Sequence, residues 1–212
     1  MFNIDKYKEI KQIIEKTKKN SQIIAISKNH PVESIHNAIN AGVKIFGENR
    51  VMEAKSKFFD IKNNNSEVEL HLTGPLQSNK VKEAVSLFDV FHTLDREKIA
   101  LEFRKYSENL QNKKIFIQVN TGEEENKSGI SIKYLNEFIK YCSVDLQLNI
   151  VGLMCIPPIF EPPQTHFKML KILANKNNLN QLSIGMSNDY EEALKFNPSY
   201  IRLGTVLFGE RK

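Results

Sequence analysis

Two periods alternate along this chain, and that alternation limits its possible folds more than any other feature. Short apolar runs suited to strands lie at 23–27, 43–46, 68–72, 90–92, 115–119, 150–154, 182–184 and 200–203. Between them, apolar residues recur at the spacing of amphipathic helices. Val32, Ile35 and Ile39 form one such face, behind Pro31 at the helix start and ahead of Gly42 at its end. Val51, Ala54 and Phe58 form the next, then Val81, Val85 and Phe88, then Ile99, Phe103, Tyr106 and Leu110 behind Asp95 as N-cap. Leu135, Phe138, Ile139 and Cys142 follow Ser131, and Phe167 and Leu170 follow a proline-rich loop. Run 115–119 is apolar almost throughout, as a strand buried on both faces should be. Eight strands alternating with helices in 212 residues predict an α/β fold, a (β/α)8 TIM barrel, with an extra N-terminal helix carrying Ile10, Ile13 and Ile14. An open, doubly wound sheet is the other architecture this alternation permits.

The length suits one domain over 1–212, with no linker or repeat. No uncharged apolar run is long enough to span a membrane, and the N-terminal stretch carries Asp5, Glu9 and Glu15 where a targeting peptide would be acid-free. Cys142 and Cys155 fit two buried small hydrophobes in a reducing cytoplasm, and no metal-ligand spacing is present. The net charge of +5 comes from lysines scattered among glutamates; the run at 16–19 is short, so no nucleic-acid partner is expected.

Active sites of (β/α)8 barrels lie at the C-terminal strand ends. This chain places Lys28, Asn49, His71, Thr73, Gly74, His92, Asn120, Met154, Ser187, Arg202, Gly204 and Thr205 there. Loops after the last two strands favour phosphate, because helix N-termini expose free N–H groups there. A lysine opposite such loops, in an apolar mouth, suggests pyridoxal phosphate held as a Schiff base on Lys28. Each residue also has a plainer reading: Arg202 as an ion-pair partner, Asn49 and Ser187 as helix caps, and His71 and His92 as satisfied core residues.

The segments 25–28 (AISK), 46–49 (FGEN), 71–80 (HLTGPLQSNK), 118–120 (QVN), 152–154 (GLM), 184–187 (IGMS) and 201–205 (IRLGT) closely resemble the YggS/PROSC family of pyridoxal phosphate homeostasis proteins, in order and over essentially the whole chain. The resemblance implies one fold-type III barrel, similar to the N-terminal domain of alanine racemases, that binds pyridoxal phosphate. It implies Lys28 as the Schiff-base lysine and Arg202 facing the pyridine nitrogen. Ser187, Gly204 and Thr205 match the phosphate cradle, Asn49 lies near the cofactor, and His71 and Met154 are pocket walls. Leu70, Thr73, Asn29 and His30 depart from the family pattern at positions expected on the pocket rim. The function expected is a cytoplasmic, monomeric carrier or buffer that passes pyridoxal phosphate to apo-enzymes. An amino-acid racemase would need a second base, and none of Tyr7, Tyr106, Tyr134, Tyr141, Tyr190 or Tyr200 falls at a strand's C-terminal end. A partner-binding scaffold is the remaining alternative.

Overall fold

The computed structural model describes residues 2–17 and 20–210, so Lys18 and Lys19 of the basic run lie outside them. The chain opens on α1 (Ile4–Lys16), capped by Asn3, whose side chain accepts from the Lys6 N–H at 3.0 Å. Then come β1 (Gln22–Ile26), α2 (Val32–Asn40), β2 (Ile45–Glu48), α3 (Val51–Asn64), β3 (Glu69–Leu72), α4 (Val81–Leu87), β4 (Val90–Leu94), α5 (Glu97–Arg104), α6 (Ser107–Leu110) and β5 (Lys114–Asn120). The second half runs through β6 (Ile130–Ser131), α7 (Leu135–Lys140), β7 (Ile150–Met154), α8 (Pro163–Lys176), β8 (Gln181–Ser183), α9 (Tyr190–Leu194), β9 (Tyr200–Leu203) and α10 (Thr205–Phe208).

All strand pairings are parallel, and β1 pairs with both β2 and β9, aligning Ile23 with Ile201 and Ile24 with Arg202. The β4–β5 pairing joins the remaining ends, so eight strands among the described residues close into a barrel and the open-sheet alternative falls. The two-residue β6 lies beside the end of β5, too short to show a period in sequence. Helix α1 seals the last unit: Phe2 packs on Phe208 with centroids 5.2 Å apart, and the Asn3 N–H donates to the Leu207 carbonyl.

Alternation along each strand separates two cores. Outward residues such as Phe46, Leu70, Phe91 and Leu203 meet the helices; Ile24, Ile26, Val90, Phe116, Met154 and Tyr200 fill the barrel itself. Each such apolar side chain contributes about 1.5–3 kcal/mol on burial. The interior is therefore packed, and in barrels of this kind the site lies above the C-terminal strand ends.

Several element bounds differ from the sequence reading. Strand β2 starts two residues late because the Val43 N–H still closes the helix before it, donating to the Ala38 carbonyl. That shift brings Glu48 into the strand. The helix expected through 99–110 breaks between α5 and α6, and Asp95 pairs with Arg96 rather than capping α5. Both cysteines are buried, and burial pushes each thiol up to about 12, so they remain protonated apolar fillers. No described helix is long and apolar enough to cross a membrane.

Candidate functional site at the C-terminal end of the barrel

Above the strand ends lies a cavity of about 250 Å³ that brings together Lys28, Asn49, Ser187, Arg202, Gly204 and Thr205. Ile26, Thr73, Ile156, Met186 and Asn188 complete its walls. Among the described residues its lining holds one amine and one guanidinium, with hydroxyl and amide groups, and no carboxylate, imidazole or phenol.

Lys28 sits in the turn after β1, half-buried, with Asn29 behind it in the left-handed region at φ 61°. The turn is held from outside the barrel by a cluster the sequence reading did not single out. Lys57 of α3 donates to the Ser27 carbonyl at 2.8 Å and to Glu53 at 2.9 Å, and pairs with Glu48 Oε1 at 2.7 Å. Ser27 Oγ donates to the same Glu48 oxygen at 2.7 Å, and the Asn29 N–H donates to Glu53 at 2.6 Å. Glu48 is fully buried and its Oε2 has no hydrogen-bond partner. Burial pushes its carboxyl upward, and Lys57 partly offsets that. The signal lay in the strand bounds: once β2 ends at Glu48, that carboxylate must be buried and needs a cation.

Asn49 follows at the mouth. Thr73 Oγ1 donates to Asn49 Oδ1 at 3.0 Å, so this departure from the family pattern orients a cavity residue. Gly74 packs so closely that a Cβ there would meet the Asn49 carbonyl oxygen at 2.4 Å. Across the cavity, Ser187 Oγ accepts from the Gly204 N–H at 3.2 Å and the Val206 N–H at 3.4 Å, tying the loop after β8 to the turn after β9. Asp189 accepts from the Met186 N–H at 2.5 Å and fixes that loop from behind. Arg202 donates through Nη1 to the Ser183 carbonyl at 2.6 Å and Ser183 Oγ at 2.8 Å, and through Nη2 to the Cys155 carbonyl at 2.9 Å. Burial lowers its pKa, but a guanidinium starts so high that it stays charged.

Two expected pocket walls lie elsewhere. Met154 is fully buried in the inner core, and His71, also fully buried, bonds His92 and Glu69 inside the barrel. Both turn into the packed barrel interior, Met154 among Phe116 and Tyr200 and His71 edge-on to Tyr200, and neither lines the cavity. Burial lowers the pKa of His71, partly offset by Glu69, and lowers that of His92 further still, with His71 and Arg202 adding to it. Of the other departures, Leu70 belongs to the outer core, not the rim. Asn29 is exposed, and His30 stacks on Phe208 at 5.1 Å.

Comparison with known proteins gives this geometry its relatives. The family model "Alanine racemase, N-terminal domain" matches residues 5–212. A pyridoxal phosphate homeostasis protein of Aquifex aeolicus is 36% identical over 203 residues, covering 91% of this chain and 88% of that protein. One of Vibrio cholerae is 39% identical over 201 residues, covering 90% and 85%. Among solved structures, PipY of Synechococcus elongatus without PLP superposes with a TM-score of 0.87 at 32% identity, covering 97% of this chain and 99% of that one. PipY with PLP bound gives 0.81 at 34% identity, covering 90% and 93%.

Proposed function

This chain belongs to the alanine racemase N-terminal domain family and, within it, to the pyridoxal phosphate homeostasis proteins, and on that premise we propose that it binds pyridoxal phosphate in the cavity above the strand ends. The observation that carries the reading is the convergence of Lys28, Arg202, Ser187, Gly204 and Thr205 on that one cavity. The donor set fits the group: a phosphate asks for hydroxyls and backbone N–H groups, and an aldehyde asks for an amine. When bound, the cofactor supplies an aldehyde that a lysine amine can capture covalently and reversibly.

The residues divide the work. Lys28 holds the covalent end, on a turn fixed by Lys57 and Glu48. Ser187, Thr205 and the backbone at Gly204 take the phosphate, and Asn49, oriented by Thr73, borders the mouth. Arg202 would donate to the ring nitrogen. Since a guanidinium keeps its proton, Arg202 would leave that nitrogen unprotonated, which would weaken the ring as an electron sink and disfavour general carbanion chemistry. Among the described residues, the cavity lining offers no carboxylate, imidazole or phenol to act as a second proton carrier beside Lys28. Both features favour a carrier that holds the cofactor and hands it to apo-enzymes over a racemase, which needs proton transfer on two faces.

The test is an absorbance titration with pyridoxal phosphate, followed by borohydride reduction and peptide mapping. Label fixed on Lys28 and absent from Lys28→Ala is the expected result; equal labelling of the variant would overturn the site. Transfer to an apo-enzyme, assayed beside amino-acid racemisation on the same preparation, then separates carrier from enzyme.

A further inference from the structure

We propose that Glu69, His71, His92 and Ser183 form a one-directional hydrogen-bond chain through the barrel interior that positions the Arg202 guanidinium, making Glu69 a positioning residue for a cavity it does not touch. The chain is continuous. His71 Nε2 lies 2.7 Å from Glu69 Oε1, and His71 Nδ1 lies 2.9 Å from His92 Nε2. His92 Nδ1 lies 2.8 Å from Ser183 Oγ, which accepts from Arg202 Nη1 at 2.8 Å. It runs from β3 to β4, crosses to β8 and ends on β9. Glu69 is its one end open to solvent, bordering a hollow of about 400 Å³ with Lys62, Asp89 and Lys114.

With both rings neutral, the direction of every bond follows from the carboxylate end. An ionised carboxylate only accepts, so His71 donates from Nε2 and leaves Nδ1 as an acceptor. His92 must then donate from Nε2, which leaves its Nδ1 to accept from the Ser183 hydroxyl. A guanidinium only donates, and Ser183 Oγ can accept from it while donating its own hydrogen, so Arg202 fits the same order: Arg202 to Ser183 to His92 to His71 to Glu69. This order assigns the Nε2–H tautomer to both histidines. The rings are also clamped against flipping. His92 stacks on Phe116 at 4.7 Å and 3°, and Tyr200 meets His71 and His92 edge-on at 5.0 and 5.6 Å. A chain of aligned hydrogen bonds, cationic at one end and anionic at the other, polarises each link in the same sense. Loss of the carboxylate frees His71 to turn over its tautomer, and the ambiguity passes through His92 to the hydroxyl that orients Arg202. The reach of this effect to ligand binding rests on the function proposed above; the chain itself does not.

The experiment compares wild type, Glu69→Gln and Glu69→Leu. Long-range ¹H–¹⁵N spectra of histidine-labelled, cofactor-free protein report which ring nitrogen carries hydrogen, and an absorbance titration reports affinity for pyridoxal phosphate. Wild type should show both rings as neutral Nε2–H tautomers. Glu69→Gln should keep them, since an amide oxygen still accepts, with affinity within about twofold. Glu69→Leu should mix the tautomers and weaken pyridoxal phosphate by about threefold or more, the size of coupling carried through a packed network. Either ring as the Nδ1–H form in wild type overturns the proposal. So does a Glu69→Leu variant that loses stability alone while tautomers and affinity match Glu69→Gln. If wild type fails to bind pyridoxal phosphate, the proposed function fails, and the tautomers still decide whether the chain exists.

Discussion

Two buried polar assemblies support the cavity, one outside the strand barrel and one inside it, and they are built differently. Outside, between β2 and α3, Lys57 stands among Glu48, Glu53 and the Ser27 carbonyl, so full charges touch one another. Inside, Glu69 and Arg202 occupy opposite ends of a column whose middle members, His71, His92 and Ser183, are neutral. The outer cluster has to hold a backbone turn in place, and adjacent charges do that strongly. The inner column has to orient one guanidinium within an apolar core, where a second charge beside it would be costly to desolvate. Charge fixes position; aligned neutral groups fix direction.

The outer cluster should give the larger effect. Lys57→Met leaves the Glu48 carboxylate buried without its cation, a defect of about 3–5 kcal/mol in urea unfolding near neutral pH. Glu48 then has a folded pKa raised further above its unfolded value, so the native chain binds a proton that the unfolded chain releases. The lost stability is recovered as pH falls, and the gap to wild type should narrow from pH 7.5 to 5. The double variant Glu48→Gln with Lys57→Met should lie closer to wild type than Lys57→Met alone, because the uncompensated charge is gone. A double variant as unstable as the sum of its parts would show that the pair acts through packing instead.

The inner column should respond less in stability and more in function. Ser183→Ala removes the donor to His92 Nδ1 and one acceptor of Arg202, a cost of about 1–3 kcal/mol. It leaves the Lys28 turn intact. Affinity for pyridoxal phosphate should drop while borohydride still directs label to Lys28. Loss of labelling at saturating ligand would mean that the two assemblies are not separable.

Their legibility in the sequence differed for physical reasons. The barrel followed from the alternation of periods, and the cavity residues followed from strand ends, since Lys28, Asn49, Ser187, Arg202, Gly204 and Thr205 all meet there. Strand bounds are set by tertiary pairing, and a two-residue error at β2 hid Glu48 and with it Lys57. The inner column was half visible: a period of two puts Glu69 and His71 on one face of β3. That His92 reaches Ser183 across the barrel depends on which strands stand opposite, and no local pattern carries that. His71 and Met154 lie in the barrel core and not in the cavity lining, because family-like position along a strand does not say whether a side chain turns into the core or toward the mouth.

The smallest effect is one of slope, and it bears most directly on the neutrality of the column. Burial holds His71 and His92 below the ordinary histidine value, His92 well below it. Above the unfolded value of about 6.5, neither state takes up a proton and their contribution to stability is fully present. As pH falls below that value, the unfolded chain protonates first, and stability is lost until the folded values are reached. Each histidine held neutral contributes up to roughly 1.4 kcal/mol per pH unit to that loss. His92→Phe, chosen to keep a ring against Phe116, should therefore be less stable than wild type at pH 7.5 yet lose stability less steeply. The two urea midpoints should converge between pH 7.5 and 5.5. A constant gap would mean that His92 takes up its proton as readily folded as unfolded. The column would then carry a charge at its centre, and the contrast between the charged outer cluster and the neutral inner chain would fail at its middle link.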